Sequence, residues 1–395
     1  MIYRRFQKYR KTLFMTGLVY LLFFSAKLLY DSVPDDLYVV AGEEENIQLD
    51  VPVSLEKEEE SVAVFGYADT VSGVTAGEND AEYSLSCRFL NLIPIKEVAV
   101  HVVDKSFVMP SGIPVGIYAK TQGVLVLGTG KVTAADGLNY EPAYQLLQSG
   151  DYILSVDGKE IHGKSELIDI VNTSEGKTMV LGIQREEEWI ELKIKPVKLE
   201  DGTYKLGVWV RDDMAGVGTM TYVEEDFSFG ALGHPVSDAD TGSMLTIADG
   251  SVYDTDIVGI VKGEDGTPGE LTGVINYNEE YCLGSIQKNT QAGIYGELNK
   301  IPEEMPAEYM EVGLKQDIQK GEAYIISSLD GELQKYRVEI DEIDFNSEEE
   351  NKGILFHVVD SRLIEETGGV VQGMFTSYNG SNNRKASKIK GFLMF

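Results

Sequence analysis

Three hydrophobic patterns divide this chain. The first is a continuous apolar run over residues 13–26, carried on by Leu28, Leu29 and Tyr30 beyond Lys27. The second is alternation of apolar and polar residues, as in Ile47-Gln48-Leu49-Asp50-Val51-Pro52-Val53 and Glu97-Val98-Ala99-Val100-His101-Val102-Val103. Alternation puts every second side chain on one face and predicts half-buried strands. The third is helical spacing over residues 165–172, where Leu167, Ile170 and Val171 recur, before alternation resumes at Ile190, Leu192 and Ile194. From Gly202 onward, short apolar runs are punctuated by glycine, as in Gly216-Val217-Gly218-Thr219-Met220 and Ile257-Val258-Gly259-Ile260-Val261. That spacing predicts a β-barrel or sandwich rather than parallel βαβ units. An acidic connector at 56–60 and a turn at 76–80 interrupt the first strand-rich region.

Arg4, Arg5, Lys8, Arg10 and Lys11 precede the apolar run. Residues 13–26 match a signal-peptide core in length, and extension to Tyr30 reaches the short end of the spanning range if Lys27 snorkels. No clean Ala-x-Ala site follows. The segment therefore predicts a transmembrane signal-anchor at 12–30, with residues 1–11 cytoplasmic and the acidic bulk exported.

The 395 residues suffice for two to three domains, and 43% hydrophobic with 25% charged content is ordinary for folded domains. A net charge of −31 argues against nucleic-acid binding, which needs clustered Lys and Arg, and fits a well-solvated ectodomain. Cys87 and Cys282 form no zinc or CxxC spacing, which excludes a disulfide framework and leaves open one long-range bond. Cys87 lies in an alternating stretch and reads as a buried strand residue. No cofactor is implied.

Residues 105–199 resemble bacterial PDZ domains. The segment Gly150-Asp151-Tyr152-Ile153-Leu154-Ser155-Val156-Asp157-Gly158 matches their Gly-Asp-x-Ile-Leu-x-Val-x-Gly motif. Such domains add an extended peptide as a strand and receive its carboxylate on free backbone N–H groups. The resemblance puts that loop at Pro114, Val115, Gly116 and Ile117, and implies a peptide ligand.

Serine hydrolysis needs a base, an orienting carboxylate and backbone donors for the oxyanion. Of the four histidines, His101 sits in an alternating strand and His162 in a surface turn. His234 alone stands in a glycine-lined loop after an apolar run, Gly230-Ala231-Leu232-Gly233-His234-Pro235-Val236-Ser237-Asp238. Farther on, His357-Val358-Val359-Asp360 ends in a carboxylate, and Glu366-Thr367-Gly368-Gly369-Val370-Val371-Gln372-Gly373-Met374 forms a glycine-framed loop. Together with Gly266-Thr267-Pro268-Gly269-Glu270-Leu271, these motifs resemble the stage IV sporulation protein B (SpoIVB) peptidase family, as does the order of anchor, PDZ domain and carboxy-terminal peptidase. The resemblance implies a mainly β protein: a PDZ domain, then a chymotrypsin-like double β-barrel, altered at its carboxy terminus. It implies a serine endopeptidase that acts in sporulation signalling, between mother cell and forespore, by cutting a membrane regulator of sigma-factor processing. By resemblance His234 is the general base, Asp360 its orienting carboxylate, and Gly373 a residue whose N–H lines the oxyanion hole.

The family continues after Gly-Met with Ser-Gly-Ser-Pro, the first serine being the nucleophile. This chain continues Phe375-Thr376-Ser377-Tyr378. Ser377 lies two residues late, a displacement of roughly 6–7 Å at about 3.3 Å per residue, where attack geometry tolerates nearer 1 Å. The tail 375–395 carries Arg384, Lys385, Lys388 and Lys390 and no Asp or Glu, against a strongly acidic remainder. Two origins fit so abrupt a change: a shifted reading frame, or a basic tail that binds a membrane or partner. These readings divide the chain at 1–11, 12–30, 35–104 (β-rich), 105–199 (PDZ), 200–374 (peptidase) and 375–395, and predict poor packing of 376–395. On the frame-shift origin, resequencing near codon 375 is expected to find a one- or two-base correction restoring Ser-Gly-Ser-Pro; an unaltered sequence favours a pseudoenzyme.

Overall fold

The computed structural model describes residues 2–43, 47, 51–57, 82–89, 92–263, 269–306, 308–329, 331–347, 353–369, 376–378 and 388–389. The basic and apolar leader forms one helix, α1 (Ile2–Ser32). Its stretch Leu13–Ser32, 20 residues with mean hydropathy 1.7, is long and apolar enough to cross a membrane. Leu13, Phe14, Tyr20 and Phe23 are each at least 70% exposed. In water each such side chain forgoes about 1.5–3 kcal/mol of burial, so this helix calls for an apolar surrounding.

A four-stranded sheet follows, in the order Asp36–Val40, Ile93–Val103, Glu82–Phe89, Val53–Lys57. The first pair is parallel and the rest antiparallel. Leu37, Cys87, Val98 and Val100 are fully buried in its core, and His101 stacks on Tyr38. The sheet is tied to the far end of the chain by two amides. Asn346 accepts the Asp35 N–H at 2.7 Å and donates to the Val33 carbonyl at 2.9 Å, while Gln316 donates to the Tyr38 carbonyl at 2.6 Å.

The centre of the molecule is built on two long antiparallel strands, Pro114–Thr129 and Val208–Glu224, paired from Pro114↔Thr219 to Val208↔Thr129. At one end they join Tyr152–Val156, Met179–Arg185, Glu188–Ile194 and the helix α2 (Lys164–Thr173), enclosing a core that includes Val124, Val126, Ile153, Leu181 and Leu167. This is the PDZ unit, and its sequence motif has a physical basis. Asp157 and Gly158, at φ 49° and 78°, make the tight turn from Tyr152–Val156 to Lys159–Glu160, a turn that requires left-handed residues. Asp151 is 1% exposed; its carboxylate takes a two-pronged hydrogen bond from Arg185, both arms 2.8 Å, and the Gln148 N–H at 2.8 Å.

At the other end the same two strands close a ring. The order Pro114–Thr129, Ile247–Val261, Cys282–Thr290, Gly293–Leu298, Ser228–Ala231, Val208–Glu224 returns to its start, a six-stranded barrel around Val115, Met220, Phe229, Val252 and Ile294. The second half is an open sheet, Ile354–Val358, Leu333–Ile343, Gly321–Ser328 and Thr376–Tyr378. Its core of Ile325, Tyr336, Val338 and Leu363 is capped by the short helix α3 (Ser361–Thr367). The chain is thus mainly β, with a PDZ unit, one closed barrel and one half-barrel.

Three expectations need correction. Domain edges at 105 and 199/200 do not follow the cores. Met109, Ile113, Val115 and Ile117 lie in the barrel core, and Leu206, with Val208 and Val210, packs in the PDZ core, because the two units share strands. Pro114–Ile117 are not an open loop. Their strand is paired on one edge with Gly216–Thr219 and on the other with Val252–Asp254, so this stretch is closed in by neighbours and not open to an incoming peptide. Five described residues of the tail are in strands, against expectation: Thr376–Tyr378 pair with Tyr324–Ile326, and Lys388–Ile389 with Glu311–Val312; the rest of the tail lies outside the described residues.

Removing one partner of a buried ion pair strands the other charge. Asp151→Ala is therefore expected to destabilise the protein by about 3 kcal/mol, read as a lowered urea midpoint, and Asp151→Ala with Arg185→Met by less.

Candidate active site

His234 is delivered by a turn at the end of strand Ser228–Ala231. Leu232 and Gly233 both take left-handed backbone, φ 72° and 94°. For a branched side chain that conformation costs about 1–3 kcal/mol and persists only where surroundings enforce it. Here the Leu232 N–H is held by the Thr219 carbonyl at 3.0 Å, and the Leu232 side chain packs over Gly218. Gly293, at φ 131°, closes the turn from the far side; a Cβ there would lie 2.5 Å from the Ala231 carbonyl oxygen and 2.9 Å from the Gly233 nitrogen.

The half-buried imidazole of His234 has its Nδ1 3.0 Å from the Pro235 carbonyl oxygen. A carbonyl only accepts, so Nδ1 carries a proton, and in the neutral ring the lone pair is then on Nε2, the tautomer a general base requires. The residues that follow are pinned twice. Asn289 accepts the Val236 N–H at 2.9 Å and donates to the carbonyls of Val236 and Leu245 at 2.8 and 2.9 Å. Asp238 has no exposed surface; it pairs with Arg211 and accepts the N–H groups of Asp240 and Thr241 at 3.0 and 2.8 Å. Burial pushes the Asp238 carboxyl upward. The Thr241 N–H, the Arg211 charge and hydrogen bond and the Asp240 N–H outweigh that and hold it below the ordinary carboxylate value. Sequence reasoning missed Asn289 and Arg211, which lie 55 residues after and 23 before His234; nothing in their local pattern marks them.

The other histidines are placed elsewhere. His162 is exposed, and His357 pairs with Asp341 at 2.7 Å on an exposed face, which raises its pKa.

Asp360 is not joined to His234 by any hydrogen bond. It caps α3, accepting the Arg362 N–H at 3.0 Å, with the Arg362 side chain at 3.6 Å. Burial raises its pKa, and the Arg362 and Leu363 N–H groups and the Arg362 charge bring it to a net lowered value. The loop expected to hold the oxyanion donors is described only to Gly369. Its beginning is rigid: Thr367 is fully buried, its carbonyl accepts the Gly263 N–H at 2.8 Å, and its hydroxyl lies 2.6 Å from the Leu363 carbonyl. Gly373 and Phe375 lie outside the described residues. Ser377 sits in register opposite Ile325 in an edge strand.

The surface beside α2 offers a groove of about 350 Å³, lined by Leu167, Ile168 and Val171 on the helix and by Gly130–Val132 and Tyr204–Val210 opposite. The chain's own segment, with Leu206 buried, lies along it.

The buried Asp238 gives an acid signature. Its folded pKa lies below the reference 3.8, so its stabilisation is complete above the unfolded value and is lost as pH falls through the folded one. Asp238→Asn is expected to cost about 3 kcal/mol at pH 7. The gap between the two proteins should hold down to about pH 5 and shrink below about pH 4, as measured by urea denaturation across that range.

Comparison with known proteins finds partial matches. The probable chloroplastic membrane metalloprotease ARASP2 of Arabidopsis thaliana is 35% identical over 89 residues, 21% of this chain and 20% of the relative, so the chain spans about a fifth of that protein's length. Among the described residues no group of three or more His, Cys, Asp or Glu is arranged to hold a metal ion. Among solved structures, the PDZ domain of the SdrC-like protein from Listeria monocytogenes is 24% identical, covering 22% of this chain and 87% of that one, with a TM-score of 0.18. Residues 202–385 match the SpoIVB peptidase S55 family, the segment that contains the His234 turn, five of the six strands of the closed barrel and the half-barrel. It is to the SpoIVB peptidases that this part of the chain is similar.

Proposed function

We propose that this protein is a membrane-anchored serine endopeptidase of the SpoIVB type by descent, and that it is inactive as written. The observation that carries the reading is His234: a histidine with its Nε2 lone pair free, on a strained turn pinned from both sides, on a closed barrel. A buried structural histidine would need none of that apparatus. Asp360 and Gly373 complete the site by family resemblance. The substrate is a protein or peptide, in the family a membrane-associated regulator of sigma-factor processing. The anchor fits a single-pass protein of the forespore membrane whose bulk faces the intermembrane space. The groove beside α2 is the place for a peptide ligand, in place of Pro114–Ile117.

A second reading has its own observation. Phe375 stands where the nucleophile belongs, and Ser377, the nearest serine, lies in a strand opposite Ile325. A chain of this kind could hold a partner without cutting it.

Loss of a triad nucleophile costs on the order of a million-fold in turnover. The full chain is therefore expected to form no fluorophosphonate adduct, and the chain carrying Phe375→Ser, Thr376→Gly and Tyr378→Pro to form one that His234→Ala abolishes. A His234-dependent adduct on the chain as written would sink the inactive assignment. No adduct in the restored chain would favour the binding protein.

A further inference from the structure

Arg211 belongs to none of the motifs read from the sequence, yet it is the cation on the buried carboxylate of the histidine loop. It leaves the long strand Val208–Glu224 at the point where pairing with Pro114–Thr129 slips, Arg211 facing Leu125 and Asp213 facing Lys120. Such slips re-aim side chains. One arm of the guanidinium meets the fully buried Asp238, and the other meets Asp240 at 2.8 Å. Both acidic residues lie in the turn 238–243, whose own hydrogen bonds run from Gly242 N–H to the Asp238 carbonyl at 2.7 Å and from Asp238 N–H to the Ser243 carbonyl at 3.0 Å. A planar guanidinium fixes both carboxylates in one geometry, which an ammonium cannot do.

The strand that carries Arg211 is itself held. The next residue, Asp212, accepts the Lys164 N–H at 2.8 Å and pairs with the Lys164 ammonium at 2.7 Å, at the first turn of α2. Asp213 accepts the Tyr118 hydroxyl at 3.3 Å. Three consecutive side chains thus fix the strand to the PDZ helix, to the facing strand and to the histidine loop. Asn289 secures the same loop from within the barrel, at Val236 and Leu245.

We propose that Arg211 is a positioning residue for the candidate base: by clamping Asp238 and Asp240 it sets the path of the loop 234–245 and hence the orientation of the His234 ring. Arg211 touches no reacting atom. Its effect is transmitted through the loop backbone. The inference rests on the reading of His234 as base, so its test uses the geometry of the ring rather than turnover.

The full chain in detergent, labelled with ¹³C at histidine, has four imidazole signals, from His101, His162, His234 and His357, assigned by single substitution. Arg211→Ala is expected to move the His234 signal and to speed amide exchange over 236–245 at least tenfold. The signals of His101 and His162 and exchange in Tyr152–Val156 should stay unchanged. Added guanidinium at millimolar concentration is expected to return the His234 signal towards its native position, and Arg211→Lys to restore it only in part. A role in stability alone would alter exchange generally and would not respond to guanidinium. Should Arg211→Ala fail to fold, Asp240→Asn removes the arm whose carboxylate is 57% exposed and is expected to give a smaller shift of the same signal. An unmoved His234 signal in the folded variant overturns the proposal, whatever the fluorophosphonate result. A moved and rescued signal supports it even if the chain with restored Ser-Gly-Ser-Pro proves inert.

Discussion

Everything else in this molecule hangs on the pairing of Pro114–Thr129 with Val208–Glu224. Strands of 16 and 17 residues are about three times the usual length, and each crosses from one core to the other. Near Val115 and Met220 they are barrel staves; near Val126 and Val210 they are walls of the PDZ unit. A flexible linker would let the two units move separately. A shared ladder does not, because every backbone group at the junction is needed to satisfy its neighbour. The ladder slips twice, at Trp209–Val210 and at Arg211–Asp213, and at the second slip the side chains of Arg211 and Asp212 reach in different directions to bind the histidine loop and α2.

That sharing explains which parts of the sequence were legible. Alternation and glycine turns disclosed a β protein, and Gly150–Gly158 disclosed the PDZ unit because its signature is local: a buried Asp151 beside its turn and a left-handed Asp157–Gly158 pair. The apolar leader disclosed its helix for the same reason. The boundaries were not legible. By resemblance the residues after Pro114 were a PDZ binding loop, and only the partners supplied by Ile247–Val261, over 130 residues away, reveal a barrel strand. Pairing partners leave no mark in a strand's own pattern of alternation.

The site divides in the same way. His234 stood out because glycine on either side of Leu232 signalled a forced turn, and the turn is there. Asp360 stood out for its place in a motif, but the local chemistry of Asp-Ser-Arg-Leu at a helix start explains it equally well: an Asx cap with its carboxylate on the Arg362 N–H. Arg211 and Asn289 were invisible. Each acts at long range, one from an alternating strand and one from a polar strand end, and neither position looks different from a solvated surface residue until the loop is folded against it.

This distribution bears on how the chain tolerates the loss at position 375. Among the described residues, the restraints on the His234 loop come from the first barrel and its shared strands: Thr219, Gly293, Asn289, and Arg211 through Asp238. The nucleophile loop hangs instead from α3, whose exit is fastened to Gly263, and α3 is packed against the half-barrel through Leu363. On the proposed reading, a change that begins at Phe375 leaves each of these restraints in place, along with the described cores of the PDZ unit and closed barrel. The same partition serves a damaged peptidase gene and a protein selected to bind without cutting. In either case the intact half is the half that the PDZ unit shares, and selection for partner binding alone would suffice to keep it.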